Sequence, residues 1–246
     1  MASLAKEIKW SLEKFIYSKP QVYKYFKPLY EKWVKEPARK KMNQAFKLNG
    51  LKVLEEFDKV MTENGYSYTL TFGSMLGAVR EHGFLKHDMD IDVAMWNDDY
   101  DENLPRVLAK AGFKLVDTIL VDGGVSGREE TYKKDGVGVD IFYFCPAIDQ
   151  YPYTCCFVSY GSFNDFDYSQ EKLGGLLPLR YQLPLSRETI RVPFEHLMLP
   201  IPVTAKEMLA CTYGEDFMTP KPNWVSGSFR KYQTRWPEKK GQLIRF

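Results

Sequence analysis

Apolar residues recur along this chain with two different periods, and the change of period marks where helices give way to strands. Leu4, Ile8, Leu12, Phe15 and Ile16 step by three and four. That spacing predicts an amphipathic helix with Lys6, Lys9, Glu13 and Lys14 on its wetter side, closed by Pro20. Residues 21–37 mix Tyr23, Tyr25, Phe26, Tyr30 and Trp33 with lysines. Because Pro28 and Pro37 keep this stripe short, it reads as a helix packed on the body in preference to a membrane-interfacial stretch. Phe46, Val53, Leu54, Phe57, Val60 and Met61 then define a longer helix that Asn64-Gly65 stops.

From there the pattern shortens. Tyr66 to Phe72 is dense in aromatic residues and Thr and predicts a strand, after which Gly73-Ser74 turns the chain into a short helix from Met75 to Glu81, closed by Gly83. Met89 to Trp96 alternates Asp90, Asp92 and Ala94 against Ile91, Val93 and Met95, a strand with unlike faces and both carboxylates on one of them. A helix over Asp98 to Lys110 stops at Gly112, a strand runs from Phe113 to Val121, and Gly123, Gly124 and Gly127 form a loop. Thr131 to Lys134 and Val137 to Phe144 flank Asp135-Gly136 as a β-hairpin. Residues 145–200 carry no clear period and read as a mixed, irregular region. Thr204-x-x-Glu207 is a capping box for a helix ending near Tyr213-Gly214. Helices and strands in this order make the fold class α+β.

A chain of 246 residues, 44% hydrophobic, buries a substantial core. No apolar run reaches the length of a membrane-spanning helix, and the amino terminus lacks a signal core, so a cytoplasmic protein is expected. Cys145, Cys155, Cys156 and Cys211 form neither a disulfide framework nor a paired zinc pattern. Reduced, buried thiols are the default, and a metal site from Cys145, Cys155, Cys156 and His196 is the alternative. Residues 1–45 hold eleven Lys or Arg against four Glu, a net +7, so the rest of the chain carries −5 of the overall +2. A basic segment on an acidic body suits an anionic surface, with a merely solvated basic face as the alternative. Nucleic acid is disfavoured because the basic excess is confined to one end.

The chemistry concentrates where the acids are. Alternate strand residues lie about 6.6 Å apart, so Asp90 and Asp92 reach one cation from one face. Without a cation, two such charges repel by roughly 2.5 kcal/mol at an effective dielectric near 20. Asp140, a carboxylate within the apolar strand Val137, Val139, Ile141, Phe142, needs similar compensation. An all-oxygen set points to Mg²⁺ or Mn²⁺. In that reading Asp140 either completes the cage or accepts a proton from the attacking hydroxyl. Gly73 allows close approach to phosphate, Ser74 and the first amides of its helix can donate to an anion, and Arg80 and Lys86 can meet further phosphate charge. His82 and His87 flank the loop and read as exposed side chains without a role, with phosphate contact as the alternative. Tyr151, Tyr153, Phe157, Tyr160, Phe163, Phe166 and Tyr168 divide between core and stacking surface, and His196 reads as structural.

The run Phe72-Gly-Ser-Met-Leu-Gly-Ala-Val-Arg-Glu-His-Gly-Phe-Leu-Lys-His-Asp-Met-Asp-Ile-Asp-Val93 resembles the signature of the LicD family, which includes bacterial phosphocholine transferases and is similar to fukutin and fukutin-related protein. Val139-Asp-Ile-Phe142 and Tyr213-Gly-Glu-Asp-Phe-Met218 with Pro220 and Pro222 extend the likeness over roughly residues 45–222. The resemblance implies a nucleotidyltransferase-like mixed β-sheet with flanking helices. It also implies transfer of phosphocholine or an alditol phosphate from a CDP-linked donor, such as CDP-choline, to a hydroxyl of a cell-surface glycan or its lipid-linked precursor. On it, Asp90, Asp92 and Asp140 are the metal ligands, Gly73 and Ser74 the donor-phosphate turn, Arg80 the arginine after that turn, and Asp88 the first acid of the cluster. His87 stands where the family often has Trp and Met89 where a further Asp is frequent; the alternating pair is intact.

The chain then divides into a basic helical segment at 1–44, a catalytic domain at 45–222, and a tail at 223–246 that is packed on the domain or partly flexible. Peripheral membrane contact through residues 1–45, at the inner face of the membrane, is one reading of the basic segment, beside that of a merely solvated basic face. Two other functions fit the residues: nucleotidyl transfer to a small hydroxylated acceptor, and non-catalytic binding of a glycan or membrane.

Overall fold

A computed structural model of the chain describes residues 7, 8, 10, 11, 14, 15, 18–30, 32, 33, 36–148, 151–160, 165–220 and 232–246. Expectations for Leu4, Lys6, Lys9, Leu12, Glu13, Ile16, Phe163 and Pro222 fall outside the described residues.

The predicted long helix is the organising element. It runs from Glu36 to Glu63 and buries Phe46, Gly50, Val53, Leu54, Phe57 and Met61, the side expected from the spacing. Pro37 does not interrupt a stripe as expected; it lies in the first turn of this helix, where a missing N–H leaves nothing unsatisfied. At the other end Gly65 adopts φ 75°, and Tyr66 N–H reaches back to the Met61 carbonyl in a Schellman-type close. The 44/45 boundary therefore falls inside one continuous helix.

Among the described residues eleven strands follow: β1 (Thr69–Leu70), β2 (Asp90–Trp96), β3 (Lys114–Val121), β4 (Gly127–Lys134), β5 (Val137–Ile148), β6 (Tyr151–Val158), β7 (Leu177–Gln182), β8 (Thr189–Phe194), β9 (Leu197–Pro202), β10 (Gln233–Arg235) and β11 (Gly241–Arg245). Nine of them make one sheet in the order β10-β7-β6-β5-β4-β3-β11, with β2 joined to β5 and β1 to β2; β8 and β9 pair apart. The β2–β5 pair is parallel and the other pairs are antiparallel, so the sheet is mixed and the fold α+β. The Asp135-Gly136 hairpin forms as expected, with φ of 49° and 81° at the two turn residues, and β4 extends it back to Gly127.

Four expectations change. Only Thr69 and Leu70 of the Tyr66–Phe72 run are strand, because the chain turns sharply at Phe72, φ 39°, into the helix Phe72–Arg80. The helix expected over Asp98–Lys110 is a 3-10 turn at Asn97–Asp99 and a helix at Leu104–Lys110. Pro105 explains the break, since its ring excludes the carbonyl that an earlier helical start would place against it. The described part of residues 145–200 is mostly regular: the end of β5, β6, β7, β8, most of β9 and the helix Phe166–Leu173, with Pro152, Pro178, Pro193 and Pro200 inside strands and hiding the alternation. The Ala205–Tyr213 helix exists, but Thr204 makes no side-chain cap bond and its backbone (φ −90°, ψ 18°) is not the extended form a capping box needs. The carboxy-terminal residues supply β10 and β11, on opposite edges of the sheet.

The main core joins the long helix, the Phe72–Arg80 and Ala205–Tyr213 helices, β8 and β9 to one side of the sheet around Phe57, which meets Tyr68 and Phe113 edge-on. A smaller cluster of Ile119, Val121, Cys145, Tyr153, Cys155, Phe157 and Leu176 has Trp236 packed on it. At the amino terminus Trp10 is buried, edge-on to Tyr168, whereas Ile8 and Phe15 face outward. The aromatic stretch expected to pack on the body does not. In the helix Pro20–Tyr30 and just beyond, Tyr25, Phe26, Leu29 and Trp33 are exposed. Pro20 and Pro37 each open a new helix, cutting the segment into pieces of which Trp10 is the anchored one.

Candidate active site

The site forms where β2 and β5 run in parallel beside the start of the Phe72–Arg80 helix. Period-two geometry sends Asp90 and Asp92 to the same face, and the register places Asp92 directly opposite Asp140, with Asp90 opposite Gly138. On the far side of β5, Thr131 pairs with Asp140 and its hydroxyl donates to Asp140 Oδ1 at 2.6 Å. Glu129, two residues earlier on β4, shares that face.

Asp92 also holds the helix start. Gly73 N–H donates to Asp92 Oδ2 at 3.0 Å, Asp92 N–H donates to Ser74 Oγ at 2.9 Å, and Thr71 N–H donates to the Asp92 carbonyl at 3.1 Å. A carboxylate on the positive end of a helix is favourable. Gly73 is required by space, since a Cβ there would stand 3.1 Å from Asp92 Oδ2 and 3.7 Å from Asp88 Oδ1. Phe72, in the left-handed region where a bulky side chain is strained, is held by edge contacts to Phe142 and Tyr181.

A pocket of about 1060 Å³ opens in front of this face. Gly73, Arg80, Lys86, Asp88, Asp90 and Asp92 line it. Of the residues expected in the site, Ser74 and Asp140 do not. Ser74 is buried and its hydroxyl accepts from the strand, while Asp140 adjoins Asp92 from the neighbouring strand. Arg80 is largely covered: Nε bonds Glu81 and Nη1 bonds the Phe217 carbonyl at 3.2 Å, which ties the chain after the Ala205–Tyr213 helix to the pocket. Asp88 accepts Leu85 N–H at 2.7 Å and stiffens the loop that carries Lys86 and His87, both exposed.

The electrostatics are those of crowded acids. Burial raises the Asp92 carboxyl well above the usual range, and the charges of Asp90 and Asp140 push it further. Burial lifts Asp140 to about 6 against the opposing Thr131 hydrogen bond, and lifts Asp88 to about 6 against the Leu85 amide. Asp90 is raised by the dense surroundings of its carboxyl although its edge is open to solvent. Glu129 reaches about 8 through burial and then the charges of Asp140 and Asp117.

These donors suit a hard cation: all are carboxylate oxygens, and a divalent charge beside them offsets both burial and repulsion. Among the described residues no three acidic, imidazole or thiol groups already converge on one point. The structure does not bring the thiol–imidazole alternative together either. Cys145 and Cys155 lie in the smaller core, and His196 is exposed with Nε2 3.6 Å from Glu55.

The pocket's other wall is aromatic and unforeseen as such: Phe72, Phe84, Phe142, Tyr181, Tyr213 and Phe217. Glu129 falls outside the strand expected from Thr131 onward. Extending the period two residues back puts Glu129 in line with Thr131 and is the signal that finds it. Of the aromatic run proposed for stacking, Tyr153 is core, Phe157 is largely buried yet reaches the pocket, and Tyr151 is exposed.

A family model described as LicD/FKTN/FKRP, nucleotidyltransferase domain, matches residues 65–204, which takes in β1 to β9 and every candidate acid but ends before Tyr213. A comparison with curated proteins found no match.

Proposed function

Because the chain belongs to the LicD/FKTN/FKRP family through its nucleotidyltransferase domain, we propose that it moves phosphocholine, or a related phospho-alcohol such as an alditol phosphate, from a CDP-linked donor to a hydroxyl of a cell-surface glycan or its lipid-linked precursor. The family is one of transferases, and the observation that carries the finer reading is the in-register Asp92 and Asp140 with Asp90 beside the large pocket. In the reaction the acceptor oxygen attacks the phosphorus that bears the alcohol, the bond from that phosphorus to the CMP oxygen breaks, and the hydroxyl proton leaves to a base.

Asp90 and Asp92 would hold Mg²⁺ or Mn²⁺ from the pocket side, with Asp140 completing the set from β5, and the cation would supply neutralisation of donor phosphate charge. Asp140 does not line the pocket and already accepts the Thr131 hydroxyl, which favours the ligand role over that of acceptor base. Arg80 and Lys86 line the same pocket and would meet the phosphates. The aromatic wall of Phe72, Phe142, Tyr181 and Tyr213 offers a dry surface for the transferred alcohol or the cytosine, and excludes water that would hydrolyse the donor.

The test is release of CMP from CDP-choline, CDP-ribitol and CDP-glycerol with a crude glycan acceptor, with Mg²⁺ or EDTA, for the wild type and Asp90→Asn. Release from one donor, lost on chelation and reduced on the order of 10²-fold in the variant, supports the reading and names the donor. A product that retains the nucleotide assigns nucleotidyl transfer instead. Glycan binding without turnover, unchanged in the variant, assigns a binding role.

A further inference from the structure

The helix Pro20–Tyr30, with Trp33 beyond it, carries the most conspicuous unused apolar surface among the described residues. Tyr25, Phe26, Leu29 and Trp33 are 75%, 49%, 53% and 72% exposed. Tyr25, Phe26 and Leu29 stand at steps of three and four with the half-buried Val22 on one stripe of this helix, and Trp33 adds a further exposed ring four residues on. A lone exposed leucine means little, but four large apolar side chains at helical spacing form a face that water disfavours. Nothing about Trp10 draws this face inward. That residue is edge-on to Tyr168 at 5.5 Å, with Glu7 and Lys172 paired at 2.6 Å beside it, so among the described residues the segment is anchored at its first turns.

Charge decides what the stripe fits. Lys19, Lys24 and Lys32 are exposed alongside it, Arg39, Lys40 and Lys41 follow at the start of the next helix, and residues 1–45 carry +7 beside a body of −5. No helix among the described residues is long and apolar enough to cross a membrane. Tyr and Trp among lysines on a short helix match the boundary of a bilayer, where ring and amine both find their medium. The geometry points to in-plane docking of this stripe on an anionic lipid bilayer, with Tyr25, Phe26, Leu29 and Trp33 in the headgroup–acyl boundary and the lysines on the headgroups. The docking stands apart from the reaction proposed above, and its test does not use activity.

Full-length protein is sedimented with vesicles of phosphatidylcholine containing about one-third phosphatidylglycerol, and with pure phosphatidylcholine vesicles, at about 0.1 M and 0.5 M salt. The wild type pellets with the anionic vesicles and at least about tenfold less with the neutral ones or at high salt. Joint Phe26→Ser, Leu29→Ser, Trp33→Ser lowers the anionic-vesicle partition by at least about tenfold at unchanged thermal melting, since all three side chains are exposed. Lys24→Glu with Lys32→Glu weakens it separately through charge. Absence of pelleting with anionic vesicles at low salt overturns the inference, as does pelleting that the triple variant leaves intact. A lipid-free dimer that the triple variant dissolves in analytical ultracentrifugation also overturns it, by giving the stripe to a second copy of the chain.

Discussion

Replacing Glu129 with Gln measures the crowding of charge behind the pocket. The side chain shares a sheet face with Thr131 and Asp140, and burial, then the charges of Asp140 and Asp117, move its carboxyl from 4.5 to about 8. A carboxyl raised above its unfolded value binds its proton more tightly in the native state, so stability falls as pH rises between the two values. Between about pH 6.5 and 8.5 an unfolded Glu stays ionised, while the native group goes from nearly all protonated to mostly ionised. Integrating over that window gives an upper bound of about 1.9 kcal/mol lost by the wild type, and partial solvent access brings the expectation to about 1 kcal/mol. Asp88 and Asp140, at about 6, contribute most of their own change below this window, so the Gln variant isolates Glu129. Urea unfolding in EDTA at three pH values across the window is the assay, and the slope with pH, not the absolute stability, is the quantity compared. A variant whose stability falls with pH as steeply as the wild type's refutes the reasoning, because the proton then resides elsewhere.

Two further outcomes follow from the same geometry. Gly77→Ala would put a Cβ 2.4 Å from the Gly83 carbonyl oxygen, and backbone on both sides leaves no flexible tip to yield; a loss of about 1–3 kcal/mol, read by thermal melting, is expected. Binding of Mg²⁺ strengthens from about pH 5 to pH 8 and expels protons, since Asp88, Asp90, Asp92 and Asp140 all have raised carboxyls; calorimetry in two buffers of different ionisation enthalpy detects the released protons, and pH-independent binding contradicts the crowded site.

Where physics is local, residues announce themselves in the sequence. Asp90 and Asp92 alternate with Ile91, Val93 and Met95 because one face of β2 is core and the other opens on the pocket at these two positions before closing over at Ala94, and that alternation fixes which acids share a side. Phe46 to Met61 show the long helix equally plainly. What the sequence leaves hidden depends on partners far along the chain. Strands β6 to β9 carry prolines at positions that pairing tolerates, so no period is visible until the sheet exists. Tyr213 and Phe217 reach the pocket because Arg80 bonds the Phe217 carbonyl across 137 residues. Tyr25, Phe26, Leu29 and Trp33 read as packing residues because a stripe records only that a surface is apolar, not what covers it.

The helix start shows how one residue pair can be assigned from its types and still be misjudged in its connections. Gly73-Ser74 followed by a helix reads as a cradle of free donors for phosphate. In the folded chain Gly73 N–H already bonds Asp92 Oδ2, and the Ser74 hydroxyl accepts from the Asp92 amide. Phe72 makes this possible by turning at φ 39° while Phe142 and Tyr181 fix its ring. Anything that draws the Asp92 carboxylate toward the pocket therefore competes with Gly73 for Oδ2, and anything anionic that approaches Gly73 competes with Asp92 for the amide. On the proposed reading, a divalent cation held by the Asp92 carboxylate would release the Gly73 amide, and a donor phosphate would then find that amide free. The Gly73–Asp92 hydrogen bond would then couple the two proposed ligands, and the expected outcome is that each binds more tightly in the presence of the other.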